Sequence, residues 1–376
     1  MSTIESDKKP SLRCQRGLSL VELMISLTIG LILLAGITAL IVQQSGSRDE
    51  LEKSSRQIEN GRYAIQLLRD EIEHAGYFGE FYSMPAPPPV LPDPCDSSTG
   101  GLGAAISLPV QGYDFNPSST ATSPITACLA AANYKPGTDI LVLRRTSTVP
   151  ESGLVSVTNP PEILMQTTAA SYVVATVTTA INIATPPLPE PFTLTVGGVT
   201  PAAMREYLVR IYFISPCNVP SGGGTVCTGA ADDNGNPVPT LKRLDIAGPN
   251  RTDPPTPVPL VEGIENMQLD YGLDSNGDGY PDLYTTAPAS TLDWSNVMAI
   301  RVHLLARNND PTTNFADNKT YTLGLAGSVG PFNAAPYALS PACGGTASYP
   351  QLCNYKRHVF SELVRVINPS GRRARQ

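Results

Sequence analysis

The chain has 376 residues and a formal net charge of −7, which leaves room for one anchor and one large or two small globular units and excludes a peptide toxin or a bare anchor. The charge includes a basic leader, so the remainder is more acidic than the whole and poorly suited to general nucleic-acid binding. Thirty-six prolines, 31 glycines and 6% aromatic residues describe a β-rich, loop-heavy exported domain, with no repeat period.

From Leu18 to Val42 the chain is apolar apart from Glu22 and free of proline, longer than the roughly 20 residues a helix needs to cross a bilayer core. Lys8, Lys9, Arg13 and Arg16 precede this run, and Arg48, Asp49, Glu50 and Glu52 follow it. That bias puts the amino terminus in the cytoplasm and the rest outside. A cleavable secretory signal has a shorter apolar core and a small-residue cleavage site, and neither is seen here. Glu22 costs on the order of 2.5 to 3.5 kcal/mol in a membrane helix, less near the interface, so it needs a partner or a purpose. Its surroundings, "RGLSLVELM", resemble the class III signal of type IV prepilins. The resemblance implies cleavage between Gly17 and Leu18 and methylation of the new amino terminus. Glu22 then becomes the fifth residue of the mature chain, where it would neutralise the α-amino group of Leu18 on the same or an adjacent subunit among bundled helices. The family more often has phenylalanine where Leu18 stands.

Five segments follow from the pattern: a cytoplasmic leader over 1–17, a transmembrane helix over 18–42, an extracytoplasmic amphipathic helix over 43–79, a proline-rich linker over 80–100 and a β-rich globular head over 101–376. In the second helix Leu51, Ile58, Ile65 and Ile72 recur at heptad spacing, with Leu68 and Ala75 on the adjoining row, so one narrow apolar face should lie on a sheet or on sister helices. "MPAPPPVLPDPCDSSTGG" is too proline-dense for a helix or a central strand. Beyond it, strands are predicted at "TDILVLRRTS", "SYVVATVTTAINIAT", "FTLTVGGV", "REYLVRIYFIS", "TLKRLDIAG", "VEGIENMQLDYGLD", "VMAIRVHLLARN" and "HVFSELVRVIN". In "VMAIRVHLLARN", Met298, Ile300, Val302 and Leu304 share one face, and Arg301, His303 and Arg307 the other. The fold class is α+β: a long amino-terminal helix, membrane-spanning in its first half, packed on an antiparallel head with long loops.

Cys14 lies in the leader, and six cysteines remain outside: Cys95, Cys128, Cys217, Cys227, Cys343 and Cys353. Their even count implies an oxidising compartment. Sequence proximity favours Cys217 with Cys227 and Cys343 with Cys353, leaving Cys95 for Cys128. "DSNGDGYPDLYT" offers oxygen ligands from Asp274, Asn276, Asp278, the Tyr280 carbonyl and Asp282, at alternate positions that can curl around Ca²⁺. Thr285 stands where the bidentate glutamate of a calcium loop belongs, and the same residues also suit a tight acidic hairpin turn. "DDNGN", Asp232 to Asn236, reads as a turn. His74, His303 and His358 have no companion spacing, and neither a serine nucleophile elbow nor a phosphate loop appears. The basic tail, with Arg372, Arg373 and Arg375, reads as a frayed, solvated end.

The order "GLSLVELMISLTIGLILLAG", "ENGRYAIQLLRDEIEHAGYFG", "LVRIYFIS", "LVEGIENMQLDYGLDSNGDG", "DWSNVMAIRVHLLAR" and "RHVFSELVRVINP" is similar to PilW-like minor pilins, whereas 85–200 matches nothing in that pattern. The resemblance implies a type IV pilin-like fold and a non-enzymatic subunit that primes pilus assembly or forms the fibre tip. The implied partners are other minor pilins, the major pilin, the prepilin peptidase, the inner-membrane assembly platform and a large tip protein. Localisation would be the inner membrane, single-pass with a periplasmic head, and then the pilus. Two other roles share these features: a tip binding module, either adhesin or DNA-uptake receptor, and a type II secretion pseudopilin.

Overall fold

The structure, a computed structural model, describes residues 19–185, 187–313, 315–331 and 352–373. It has two compact units, Met1–Glu52 and Lys53–Gln376. Gly17, Leu18, Cys343 and Arg375 lie outside the described residues. Helix α1, Leu20–His74, supplies the described secondary structure of the first unit and enters the second.

Within the second unit α1 buries Gln57, Gly61, Ala64, Ile65, Leu68 and Ile72. These positions follow the helical period. The predicted heptad stripe does not: Leu51 is 71% and Ile58 39% exposed. An α-helix drifts by about 20° per heptad, so a strict seven-residue row walks off the buried face. The contact is instead carried upward by small or polar residues. The Phe360 ring lies where a Cβ on Gly61 would be, and the Gln57 amide donates to the carbonyls of Ala306 at 2.8 Å and Lys356 at 3.0 Å.

The antiparallel head contains, among the described residues, two large sheets and three two-stranded ladders. Sheet 1 contains β1 (Val110–Tyr113), β2 (Ile140–Thr146), β3 (Ile163–Thr167), β4 (Tyr172–Thr176), β5 (Met204–Ser215), β6 (Thr240–Ala247) and β7 (Val258–Glu262). Its order is β1-β2-β5-β6-β7, with β3 pairing β5 over Met204–Glu206 and β4 pairing β3. Sheet 2 contains β8 (Ile264–Leu273), β9 (Leu283–Thr285), β10 (Val297–Arg307) and β11 (Arg357–Arg365), in the order β9-β8-β10-β11. Three predicted strands come out differently. "SYVVATVTTAINIAT" yields β4 and a short ladder at Ile181–Asn182, and "FTLTVGGV" pairs only at Thr195–Val196. "VEGIENMQLDYGLD" divides at Gly263, whose φ of +75° takes the chain off the pleat.

Strand alternation distributes side chains between two cores. Leu141, Leu143, Tyr212 and Ile214 of sheet 1 join Leu68 and Ile72 of α1 and Met267, Leu269, Ile300, Val302 and Leu304 of sheet 2 in one cluster. The alternate residues Ile140, Val142, Ile211 and Phe213 face a second cluster, closed by Leu102, Ile106, Ile125, Leu129 and Tyr134. Sheet 1 is therefore buried on both faces, which is why its longest strands read as near-continuous apolar runs. In β10 the predicted faces hold from Ala299 onward. A bulge at Met298, opposite Gly272 and Leu273 of the partner strand, brings Val297, rather than Met298, into the helix-side cluster.

The proline-dense stretch predicted as a linker over 80–100 does not separate units, for it lies inside the second. Phe81 is buried, the Tyr82 N–H donates to the Ala169 carbonyl, the Pro92 carbonyl accepts from Gln111, and Cys95 is bonded to Cys128. Proline removes ladder donors, so this segment packs without joining a sheet.

One charged group locks α1 to sheet 1. The Glu71 carboxylate meets Arg210 Nη1 at 2.5 Å and Arg145 Nη2 at 3.4 Å, and Asp245 lies 3.3 Å from Arg210 Nε. Burial raises the Glu71 pKa, but Arg210 and Arg145 outweigh it and hold the group below its ordinary value. Glu71→Gln should cost about 3 kcal/mol, the low end for a broken buried pair, since Asp245 still faces Arg210. A depressed folded pKa gives stability that is complete above the unfolded pKa of about 4.3 and lost as pH falls through the folded value. In urea melts of the full-length protein in detergent, wild type should therefore lose on acidification a component that Glu71→Gln never had. Equal acid sensitivity in both would remove Glu71 as the lock.

Candidate functional site

The amino-terminal stretch of α1 is a surface without a protein core of its own. Its most apolar window is 0% buried, and side chains from Leu20 to Val42 are exposed. Its hydroxyls do not break that apolar surface: Ser26 donates to the Glu22 carbonyl at 2.7 Å, Thr28 to Ile25 at 2.9 Å and Thr38 to Leu34 at 2.9 Å. With polar groups satisfied inside the helix, such a surface suits lipid or sister helices. Ser19 Oγ accepts the Glu22 N–H at 3.1 Å, as an N-terminal capping residue does. Glu22 sits in the first turn, where a carboxylate is favoured by the exposed N–H groups.

The far end of α1 is closed by the chain's own carboxyl-terminal segment. Residues 367–373 form helix α2, Ile367–Arg373, so the predicted solvated end is corrected for Arg372 and Arg373. The Asn368 amide donates to the carbonyls of Glu73 at 3.3 Å and Ala75 at 3.2 Å, and Arg372 Nη1 to Gly76 at 3.0 Å. These cap carbonyls that a helix end leaves without partners, and cationic groups are favoured there. Burial lowers the Arg372 pKa to about 10.

Arg373 reaches the predicted oxygen-rich loop between β8 and β9. Asp274 is buried; its carboxylate accepts N–H groups from Gly277 at 2.6 Å and Gly279 at 2.9 Å and meets Arg373 Nη1 at 3.2 Å. Burial raises the Asp274 pKa, but the Gly279 and Gly277 N–H groups and Arg373 together bring it below its ordinary value. Asp282 accepts from the Ser275 N–H and hydroxyl at 2.8 Å each and from Asn276 at 3.1 Å. Asp278 accepts the Tyr280 N–H at 2.8 Å and Asn276 at 3.3 Å. The Tyr280 ring carries the Arg365 guanidinium at 4.7 Å. All five predicted ligand residues thus share one turn, and the guanidinium of Arg373 supplies a positive charge to the most buried carboxylate.

Two of the favoured disulfides are formed, Cys95–Cys128 and Cys217–Cys227, with Cα separations of 5.5 and 5.9 Å. "DDNGN" is a turn hub. Asp232 accepts N–H groups from Ser221, Thr228 and Gly229, and Asp233 accepts from Asn218, Val219 and Val238.

Residues 12–38 match the prokaryotic N-terminal methylation motif, and residues 228–368 match the family described as Type IV Pilus-assembly protein W. No curated protein and no solved structure matches the chain. The motif and the long apolar helix support a membrane-anchored pilin with a class III signal, and a long helix packed on an antiparallel β-rich region is consistent with a type IV pilin-like fold. Together the two matches support a PilW-like minor pilin role in type IV pilus assembly.

The loop gives a direct test. A self-satisfied turn closed by Arg373 predicts no rise in Tm when the full-length protein in detergent is titrated with calcium to about 10⁻³ M, the range of weak extracellular sites. A rise that Asp274→Asn combined with Asp278→Asn abolishes would instead assign the loop to calcium.

Proposed function

We propose that this minor pilin is cut between Gly17 and Leu18 by the prepilin peptidase and methylated at Leu18. It is then held in the inner membrane as a single-pass protein with a periplasmic head. From there it joins other minor pilins and the major pilin on the assembly platform, in the complex that primes the fibre or forms its tip beneath a larger tip protein. Its role is structural rather than catalytic. The observation that carries this reading is the apolar stretch of α1, exposed along its length with a single first-turn carboxylate, Glu22. Such a helix lowers its free energy by bundling, with Ser26 and Gly30 as close-contact positions. Glu22 compensates the amino group that cleavage creates. In this reading Arg373 balances the charge of Asp274, and calcium is not needed to fold the head.

A bulky residue in place of Gly17 should leave the leader attached, and wild-type protein recovered from pili should begin at Leu18. Leader found intact on wild-type fibres would sink the processing step. Glu22→Ala should spare cleavage and insertion but lower incorporation about tenfold or more. An uncompensated buried charge costs about 3 to 5 kcal/mol, and about 1.4 kcal/mol already gives a decade. Incorporation unchanged in Glu22→Ala would remove the charge-pair argument. Deletion of the gene should reduce pilus number and twitching, with recovery on complementation; normal piliation would place the protein outside the assembly complex.

A further inference from the structure

Three residues that pilus assembly leaves unused meet on the face of sheet 2 turned away from α1. The β10–β11 register sets His303 opposite Ser361, and the β8–β10 register sets Asp270 opposite Arg301, one step along the same face. His303 Nδ1 lies 2.7 Å from Ser361 Oγ, and His303 Nε2 lies 3.2 Å from Asp270 Oδ2. Asp270 is 0% and His303 6% exposed, whereas Ser361 is open to solvent. The other Asp270 oxygen accepts the Leu325 N–H at 3.1 Å, which fixes the carboxylate in its plane. Gly324, with φ +61°, lies directly over the pair, and a Cβ there would fall on His303 Nε2 and Asp270 Oδ2. The roof therefore needs glycine, and it shields the carboxylate and imidazole while leaving the hydroxyl accessible. Arg301 also approaches Asp270 Oδ2, at 3.5 Å, but its side chain is 37% exposed, so solvent screens its claim on the carboxylate.

A carboxylate that orients one nitrogen of an imidazole, while the other nitrogen bonds a hydroxyl, lets the imidazole take the hydroxyl proton as the oxygen attacks. A cross-strand polar ladder alone needs neither a buried carboxylate nor a roof above it. We propose that Ser361 is an activated nucleophile, a site of covalent acylation by activated esters on the outer face of the head. In the step, the Ser361 Oγ–carbon bond forms and the ester carbon–oxygen bond breaks. The serine proton passes to His303 and from there to the departing alkoxide, with no change of oxidation state. The inference does not rest on the reading of α1 or on the assembly role.

The test uses the full-length protein in detergent with a fluorophosphonate probe, which reports the same nucleophile because Oγ–phosphorus forms as fluoride leaves. Peptide mapping should find Ser361 labelled at least about 100-fold faster than an exposed serine such as Ser171, the lower range for a positioned general base. His303→Gln and Asp270→Asn should bring that rate down to that of Ser171. Ser361→Ala should remove the label from its peptide with an unchanged melting curve. Should Asp270→Asn fail to fold, His303→Gln decides. Labelling of folded wild type no faster at Ser361 than at Ser171 would overturn the proposal, and so would labelling that survives His303→Gln.

Discussion

One helix in this chain has to satisfy two media, and the fold is arranged around that demand. Over Leu20–Val42, α1 exposes leucine, isoleucine and valine on every side. Leaving such area in water costs about 25 cal/mol per Å², so the stretch is stable only among lipid or other apolar helices. From Gln57 to Ile72 the same helix is one wall of a water-soluble core. Neither sheet could dispense with it: Ile65, Leu68 and Ile72 cover residues of sheet 1 and sheet 2 alike, and removing them would open both inner faces together. Apolar packing has no direction of its own, however. The depth and rotation at which α1 is seated come from polar contacts at fixed positions: Gln57 on two carbonyls, Glu71 on two guanidinium groups, and Asn368 and Arg372 on the last carbonyls.

The joint between the sheets obeys the same rule. Residues 135–139 run between β5 and β8, and their backbone serves both: the Lys135 N–H donates to Ile214 and the Asp139 N–H to Met267. The Gly137 carbonyl accepts from Asn266 and Gln268 at 3.0 Å each. The Asp139 carboxylate accepts the Phe115 N–H at 2.9 Å and the Leu269 N–H at 2.8 Å. Burial pushes Asp139 well above the ordinary carboxylate range, so it is held by hydrogen bonds to backbone rather than by an ion pair. Buried polar groups that are satisfied in this way specify one arrangement of neighbours. Here they fix how sheet 2 is placed against sheet 1.

What could be read beforehand followed from periodicity and local chemistry. The apolar run, the antiparallel strands β2, β5, β6, β10 and β11, and the Cys217–Cys227 disulfide were visible because alternation, burial on both faces and short separation leave marks in sequence, whereas Cys95–Cys128, 33 residues apart, followed only as the remaining pair. β3 was missed because "EILMQT" is short and sits just after two prolines, and the proline-dense stretch read as a linker because composition does not reveal that Phe81 finds a pocket. The oxygen-bearing positions from Asp274 to Asp282 were legible, since they lie at alternate positions in one turn. Arg373, which meets them, lies 99 residues from Asp274 along the chain. Likewise His303 had no companion within its own segment. Its partners Asp270 and Ser361 stand 33 and 58 residues away, and only strand register could bring them together.

The segment matched by the pilus-assembly family runs from residue 228 to 368, which takes in all of sheet 2 with β6 and β7 but none of β1 to β5. That segment cannot close its core alone, because Leu141, Leu143, Tyr212 and the α1 residues contribute to the same cluster as Met267 and Ile300. The opposite face of sheet 1 is under a different constraint. Its covering residues Leu102, Ile106, Ile125, Leu129 and Tyr134 belong to a cluster that includes no residue of α1 or of sheet 2, and Cys95–Cys128 staples that cover to the preceding segment. A disulfide there limits the freedom of the unfolded loop and reduces the apolar area the cover must bury to stay in place. The sequence of that cover can therefore change while sheet 1 continues to present the same inner face to α1. The core face must suit α1, whereas the covered face needs only enough apolar residues to close over Ile140, Val142, Ile211 and Phe213.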